Sequence, residues 1–233
     1  MTFSLPDARP EPHGPRVADL QLRGHTGPLR TRVHWPPAPG APVVRPLLVV
    51  LAAADPEVPW AAVSALAGVI VLAVGDAPVA GASDAAALAE AETAVHWAAD
   101  HADELHADAT LLLLGGEGAG AWRAAEVALA ARDDGWPSLV RQLLVVTATS
   151  GPAQPAARTD GSRRQGSPAG VAPAIVATIG DGPHVAEARG YTARLRGAGV
   201  HVDELHHDGP AGDVAAWVAA ALRRALGGGE GSA

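Results

Sequence analysis

Leu111-Leu112-Leu113-Leu114-Gly115-Gly116-Glu117-Gly118-Ala119-Gly120 is the stretch on which the reading of this chain turns. Four leucines closed by glycine form a short continuous apolar run, the pattern of a strand buried on both faces. Glycines then recur at every second position, which suits a tight turn with close backbone contacts. An alanine-rich helix follows from about Ala119 to Arg132 and stops near Gly135-Trp136-Pro137. Strand, turn and helix place residue 118 at the head of a sheet strand. It is a glycine, so the apex offers no side-chain nucleophile.

The same alternation extends in both directions. Arg45 to Leu51, Val69 to Val74, Leu143 to Thr147 and Ala174 to Thr178 are further apolar runs of strand length. Helical stretches cover Ser83 to His101, Val185 to Gly197 and Asp213 to Leu226, and a short strand is expected near Val200-His201-Val202. Val17 to Arg23 and Leu29 to Trp35 read as a hairpin around Gly24-His25-Thr26-Gly27. The pattern predicts an α/β fold, a three-layer sandwich with a mostly parallel central sheet. Residues 1–16 read as a flexible arm, 17–226 as one domain, and 227–233 as a disordered tail. Ser150 to Gly170, rich in Gly, Pro, Ser and Arg, reads as a flexible loop.

Composition narrows the chemistry. The chain has 233 residues, a formal net charge of −8 and no basic stripe, which argues against nucleic acid and anionic membranes as partners. There is no cysteine, so disulfides, thiolate catalysis and zinc-thiolate sites are excluded. There is also no lysine among the 17 basic residues, which removes Schiff-base and P-loop lysine chemistry. No apolar run resembles a signal peptide or a membrane span, and a cytoplasmic location is expected. Nothing in the sequence calls for a cofactor or a metal.

The order of segments resembles the hormone-sensitive-lipase and acetyl-esterase branch of the α/β-hydrolase fold. "VADLQLRGHTGPLRTRVHWPP" is similar to that branch's opening hairpin, and "RPLLVVLAAAD" to the strand that leads into its H-G-G-G loop. The stretch from Asp84 to Gly135 is similar to its central helix, strand, G-x-S-x-G nucleophile elbow and helix. "APAIVATIGDGPHVAEARGYTARLRGAGVHVDELHHDG" resembles the segment carrying its acid and, further on, its histidine. The resemblance implies that the nucleophilic serine falls on Gly118 and the oxyanion loop on Ala52-Ala53-Ala54-Asp55. The acid falls on, or one residue from, Asp181, and the histidine near Gly212-Asp213. By that mapping only the acid is retained. The connections at 52–68 and 148–173 are also short against the family, so its lid or cap is expected to be largely deleted.

Several residues carry two readings each. Glu117 is a carboxylate nucleophile if the turn slips by one residue, and otherwise an exposed acid near a helix N-terminus. Asp181 is a triad acid or general base, or else a cap on the following helix. His201, Asp203, Glu204, His206, His207 and Asp208 form the densest metal-capable group, but alternation along an extended segment splits them between two faces. His207 is the histidine nearest the expected catalytic position. Trp35, Trp60, Trp97, Trp122, Trp136 and Trp217 are core residues or a partner surface, and Trp122 could fill the vacated apex.

The leading expectation is an esterase/lipase-like pseudoenzyme, a catalytically inactive homologue that binds or scaffolds. Its partner would be a small molecule, a second copy, or another chain such as an active relative. The alternative is a non-hydrolytic cyclase or lyase of small-molecule biosynthesis that uses Glu117, Asp181 or His207 as acid–base groups. Residual carboxylesterase activity is a third reading.

Overall fold

The computed structural model describes residues 16–37, 44–52, 56–75, 84–148, 166–208 and 213–227. The expected arm, Ser83 as a helix cap, most of the 150–170 loop and the tail beyond Gly227 lie outside the described residues. Eight strands form one sheet: β1 (Arg16–Arg23), β2 (Pro28–Trp35), β3 (Arg45–Ala52), β4 (Ile70–Gly75), β5 (Ala107–Glu117), β6 (Arg141–Thr147), β7 (Ala174–Ile179) and β8 (Val202–His207). Their order is β1-β2-β4-β3-β5-β6-β7-β8. The β1–β2 hairpin joins antiparallel to β4, and every pairing from β4 to β8 is parallel.

The apolar runs behave as strands covered on both sides must. Leu47, Val49 and Leu51 of β3 enter one core, while Leu48, Val50 and Ala52 enter the other. On β5, Leu112 and Leu114 part from Leu113 in the same way. Helices α2 (Asp84–Asp100), α3 (Ala119–Asp134) and α4 (Pro183–Gly197) cover the first core; α1 (Trp60–Ala67) and α5 (Val214–Gly227) cover the second. Each fully buried leucine removes enough apolar surface from water to contribute about 1.5–3 kcal/mol.

Three expectations need correction. The 52–68 connection is not merely short, because it holds α1, entered through Pro59 and closed by Gly68 at φ 73°, whose N–H bonds the Ser64 carbonyl at 2.9 Å. At eight residues, nearly all apolar, it presents no amphipathic period to read. The last strand is not at 200–202 but spans Val202–His207, held by the register from Ala174↔Val202 to Ile179↔His207. Its acidic and histidine side chains are those of an edge strand that faces water. Within the 150–170 loop, residues 166–170 are tied down. Arg132 donates to the Ser167 and Ala169 carbonyls at 2.7 and 2.9 Å, and Arg194 donates to that of Gly166 at 2.9 Å.

Candidate functional site

In open parallel sheets, ligands collect at the carboxyl ends of the strands, where neighbouring connections leave for opposite faces. Here that point lies between β3, which feeds α1 on one face, and β5, which feeds α3 on the other. Gly118 sits at it. Its backbone has φ 58° and ψ −120°, a conformation side-chain-bearing residues adopt only under strain. Its N–H donates to the Val145 carbonyl at 2.9 Å, which fastens the turn to β6.

The flanking glycines are fixed by contact. A Cβ on Gly116 would collide with the Gly120 carbonyl, and one on Gly120 with the Leu51 carbonyl of β3. Both obstacles are backbone and cannot swing aside. The glycine spacing of the elbow is therefore a packing requirement where β5, α3 and β3 cross.

Glu117 is not at the apex. It ends β5 and is 4% exposed, so the turn has not slipped, and the reading of an exposed acid is corrected as well. Its Oε1 accepts from the Glu57 and Val58 N–H groups at 2.6 and 3.1 Å, and its Oε2 accepts from the Trp60 indole N–H at 3.3 Å. Burial pushes this carboxyl above the usual range, and the neighbouring Glu57 charge adds to the rise. The three donated hydrogen bonds oppose it and do not prevail.

Asp181 follows β7 and is exposed, with Oδ1 at 3.7 Å from Arg189. It does not cap α4, whose N-cap is Gly182, with Pro183 opening the helix and no side-chain cap bond. The histidine beside Asp181 is His206 rather than His207. Ligand atoms of Asp181, His206 and Asp208 lie within 4.8 Å of one another. The His206 ring places Nε2 at 2.7 Å from Asp208 Oδ1 and Nδ1 at 2.9 Å from Thr178 Oγ1. Thr178 Oγ1 also donates to the Leu205 carbonyl at 3.1 Å. His207 points the other way, its ring 5.3 Å from that of Trp217. The rest of the 201–208 group disperses, His201 pairing with Asp203 and Glu204 with Arg196.

Ala52 is buried at the end of β3, in register with Gly75. Ala53, Ala54, Asp55 and Gly212 lie outside the described residues. Asp213 stands just before α5 and is exposed. The Trp122 ring meets Tyr191 of α4 edge-on at 6.1 Å. Trp60 is core and Trp136 is 44% exposed, while Trp35, Trp97, Trp122 and Trp217 are partly buried against the two cores. A cavity of about 180 Å³ opens beside Ala52, between the ends of β3 and β4 and helices α2 and α3, with Glu90 and Arg123 on its wall.

β5 and β8 are three strand spacings of roughly 4.8 Å apart, so nothing on β8 reaches the apex without a returning loop. As described, then, the edge holds no side chain at the apex, a buried carboxylate beneath it, and an exposed Asp–His–Asp group on the flank.

Residues 48–168, just over half of the chain, match the model of a family described as having the alpha/beta hydrolase fold. The chain belongs to that family. Esterase LipI of Mycobacterium tuberculosis is 33% identical over a 139-residue alignment that covers 55% of this chain and 43% of that esterase. The match thus spans less than half of that relative. An esterase from Pyrobaculum calidifontis superposes with a TM-score of 0.75 at 21% identity, covering 91% of this chain and 84% of the esterase. A thermostable esterase from Pseudomonas putida gives 0.72 at 22%, covering 91% and 81%. At that identity the likeness is one of fold. Among the described residues no helix is long and apolar enough to cross a membrane.

Sequence reasoning missed the closeness of His206 to Asp181 and the burial of Glu117. The expected alternation along this extended segment does put His206 and His207 on opposite faces, but it does not say which of them meets Asp181.

Proposed function

We propose that this chain is an esterase-like protein of the α/β-hydrolase fold that binds at the carboxyl edge of its sheet and does not hydrolyse esters. Gly118 carries the reading. An apex with the geometry of a nucleophile elbow but without a hydroxyl cannot form an acyl-enzyme. The occupant is a small molecule, since the cavity beside Ala52 is below the usual range of drug-sized pockets, or a protein partner seated over the same edge.

The test is turnover of p-nitrophenyl acetate together with labelling by a serine-reactive fluorophosphonate. The reading expects no rate above buffer and no label. Turnover well above background that disappears in Asp181→Ala would overturn it.

One observation favours a second reading. Asp181, His206 and Asp208 converge on one flank, and a histidine beside two carboxylates can serve as the acid–base group of a non-hydrolytic lyase or cyclase. Under that reading His206→Ala abolishes conversion of the substrate and leaves the fold intact.

A further inference from the structure

Pro56-Glu57-Val58-Pro59 joins the end of β3 to α1. Prolines have no N–H, so this segment has two backbone donors, Glu57 and Val58. Both go to one oxygen of Glu117, and the indole of Trp60, the first residue of α1, takes the other. A second tie comes from β6, where Thr147 Oγ1 donates to Glu57 Oε1 at 3.3 Å. The arrangement needs both oxygens of one side chain as acceptors. A glutamine supplies one, and an aspartate is shorter by a methylene.

We propose that Glu117 is the positioning residue of the carboxyl edge, a two-part latch that holds Glu57, Val58 and Trp60 in place beside the elbow apex and lets go of one part on protonation. Oε1 fixes the two amides. Oε2 fixes Trp60, and a proton on Oε2 turns that oxygen from acceptor to donor, so the indole N–H loses its partner while the amides keep theirs. Among the described residues Glu57 is the charged group facing the carboxylate. The register partner on β6 is Val145, the β3 residue facing Gly116 is Leu51, and α3 opens with Ala119, Gly120 and Ala121, none of them titratable. Burial and the Glu57 charge both favour the proton, which places release at a milder acidity than for a solvated glutamate. The latch stands whether or not the edge binds a ligand, so its failure and that of the proposed function are distinguishable.

The experiment is a pH titration of the full chain by ¹H–¹⁵N NMR. It follows the Trp60 indole resonance, assigned with Trp60→Phe, and amide exchange at Glu57 and Val58. The indole resonance is expected to titrate with a midpoint above the ordinary 4.5, while the two amides stay protected through the transition. E117Q, whose single carbonyl oxygen serves the amides, should hold the indole in its acid position at every pH and keep amide protection. E117A should lose that protection by at least tenfold. E57Q should shift the midpoint down without abolishing the transition. The proposal is overturned if the indole does not titrate, or if its transition survives in E117Q and vanishes in E57Q. It is also overturned if Glu57 and Val58 exchange equally fast in wild type and E117A at pH 7 while the rest of the chain stays protected. Should E117A fail to fold, the E117Q and E57Q arms decide alone.

Discussion

Glu117 and Asp181 are two carboxylates on the same edge of one sheet, and they live under opposite rules. Glu117 is buried with every oxygen engaged, while Asp181 stands in water with one loose partner at 3.7 Å. The centre of the edge is set by backbone contact at Gly116 and Gly120. At the flank at β7 and β8, by contrast, the side chains of Asp181, His206 and Asp208 are exposed. Residues which the architecture requires are thereby separated from residues which only chemistry would require. The apex hydroxyl belongs to the second kind, and it is absent.

The contrast can be broken most severely at the centre. Gly120→Ala drives a methyl into the Leu51 carbonyl, and chemical denaturation should show a loss of about 3–5 kcal/mol or no folded protein. Next comes Glu117→Ala, which strands two backbone donors and an indole; a loss of about 2–4 kcal/mol is expected. Glu117→Gln should lose less than about 1 kcal/mol. It keeps an acceptor and removes a charge that burial disfavours.

The sign with pH follows. A carboxyl raised in the folded state destabilises the fold when ionised. Wild type should therefore gain on Glu117→Gln as pH falls from neutral through the raised value towards 4.5, and stay level below it.

Gly118→Ser installs the missing hydroxyl in a strained backbone. It should cost about 1–3 kcal/mol and yield no esterase turnover, because no described histidine stands at the apex. Glu90 provides a smaller, oppositely signed effect. Burial raises its carboxyl, but the hydrogen bonds from Thr26 and His25 outweigh that and hold it below the usual range. The stability lost in Glu90→Gln should be present at neutral pH and fade as pH falls through that lowered value. At the flank, Asp181→Ala should change stability by less than about 0.5 kcal/mol. A larger loss there would erase the distinction between the two regions.

The sequence announced the sheet wherever burial on both faces leaves an unbroken apolar run, as in Leu47–Leu51 and Leu111–Leu114. It concealed α1, whose eight residues turn no polar side to water, and it set the last strand a few residues early, because the outward positions of β8 carry charge as an edge strand should. At the site, Gly118 was legible because a glycine at a turn apex has one local meaning. The burial of Glu117 was not, because its partners are donated some 60 residues upstream by a proline-bounded segment. The meeting of Asp181 with His206 depended on a parallel register that no local pattern encodes.

The positive φ at Gly118 has a historical corollary. Under the proposed function, a lineage that exchanges a strained serine for glycine at such a corner gains conformational ease in the same step that ends its ester chemistry. Going back would mean reinstalling the strain before any benefit returns. The corner works as a ratchet, easy to turn towards silence and hard to turn away from it.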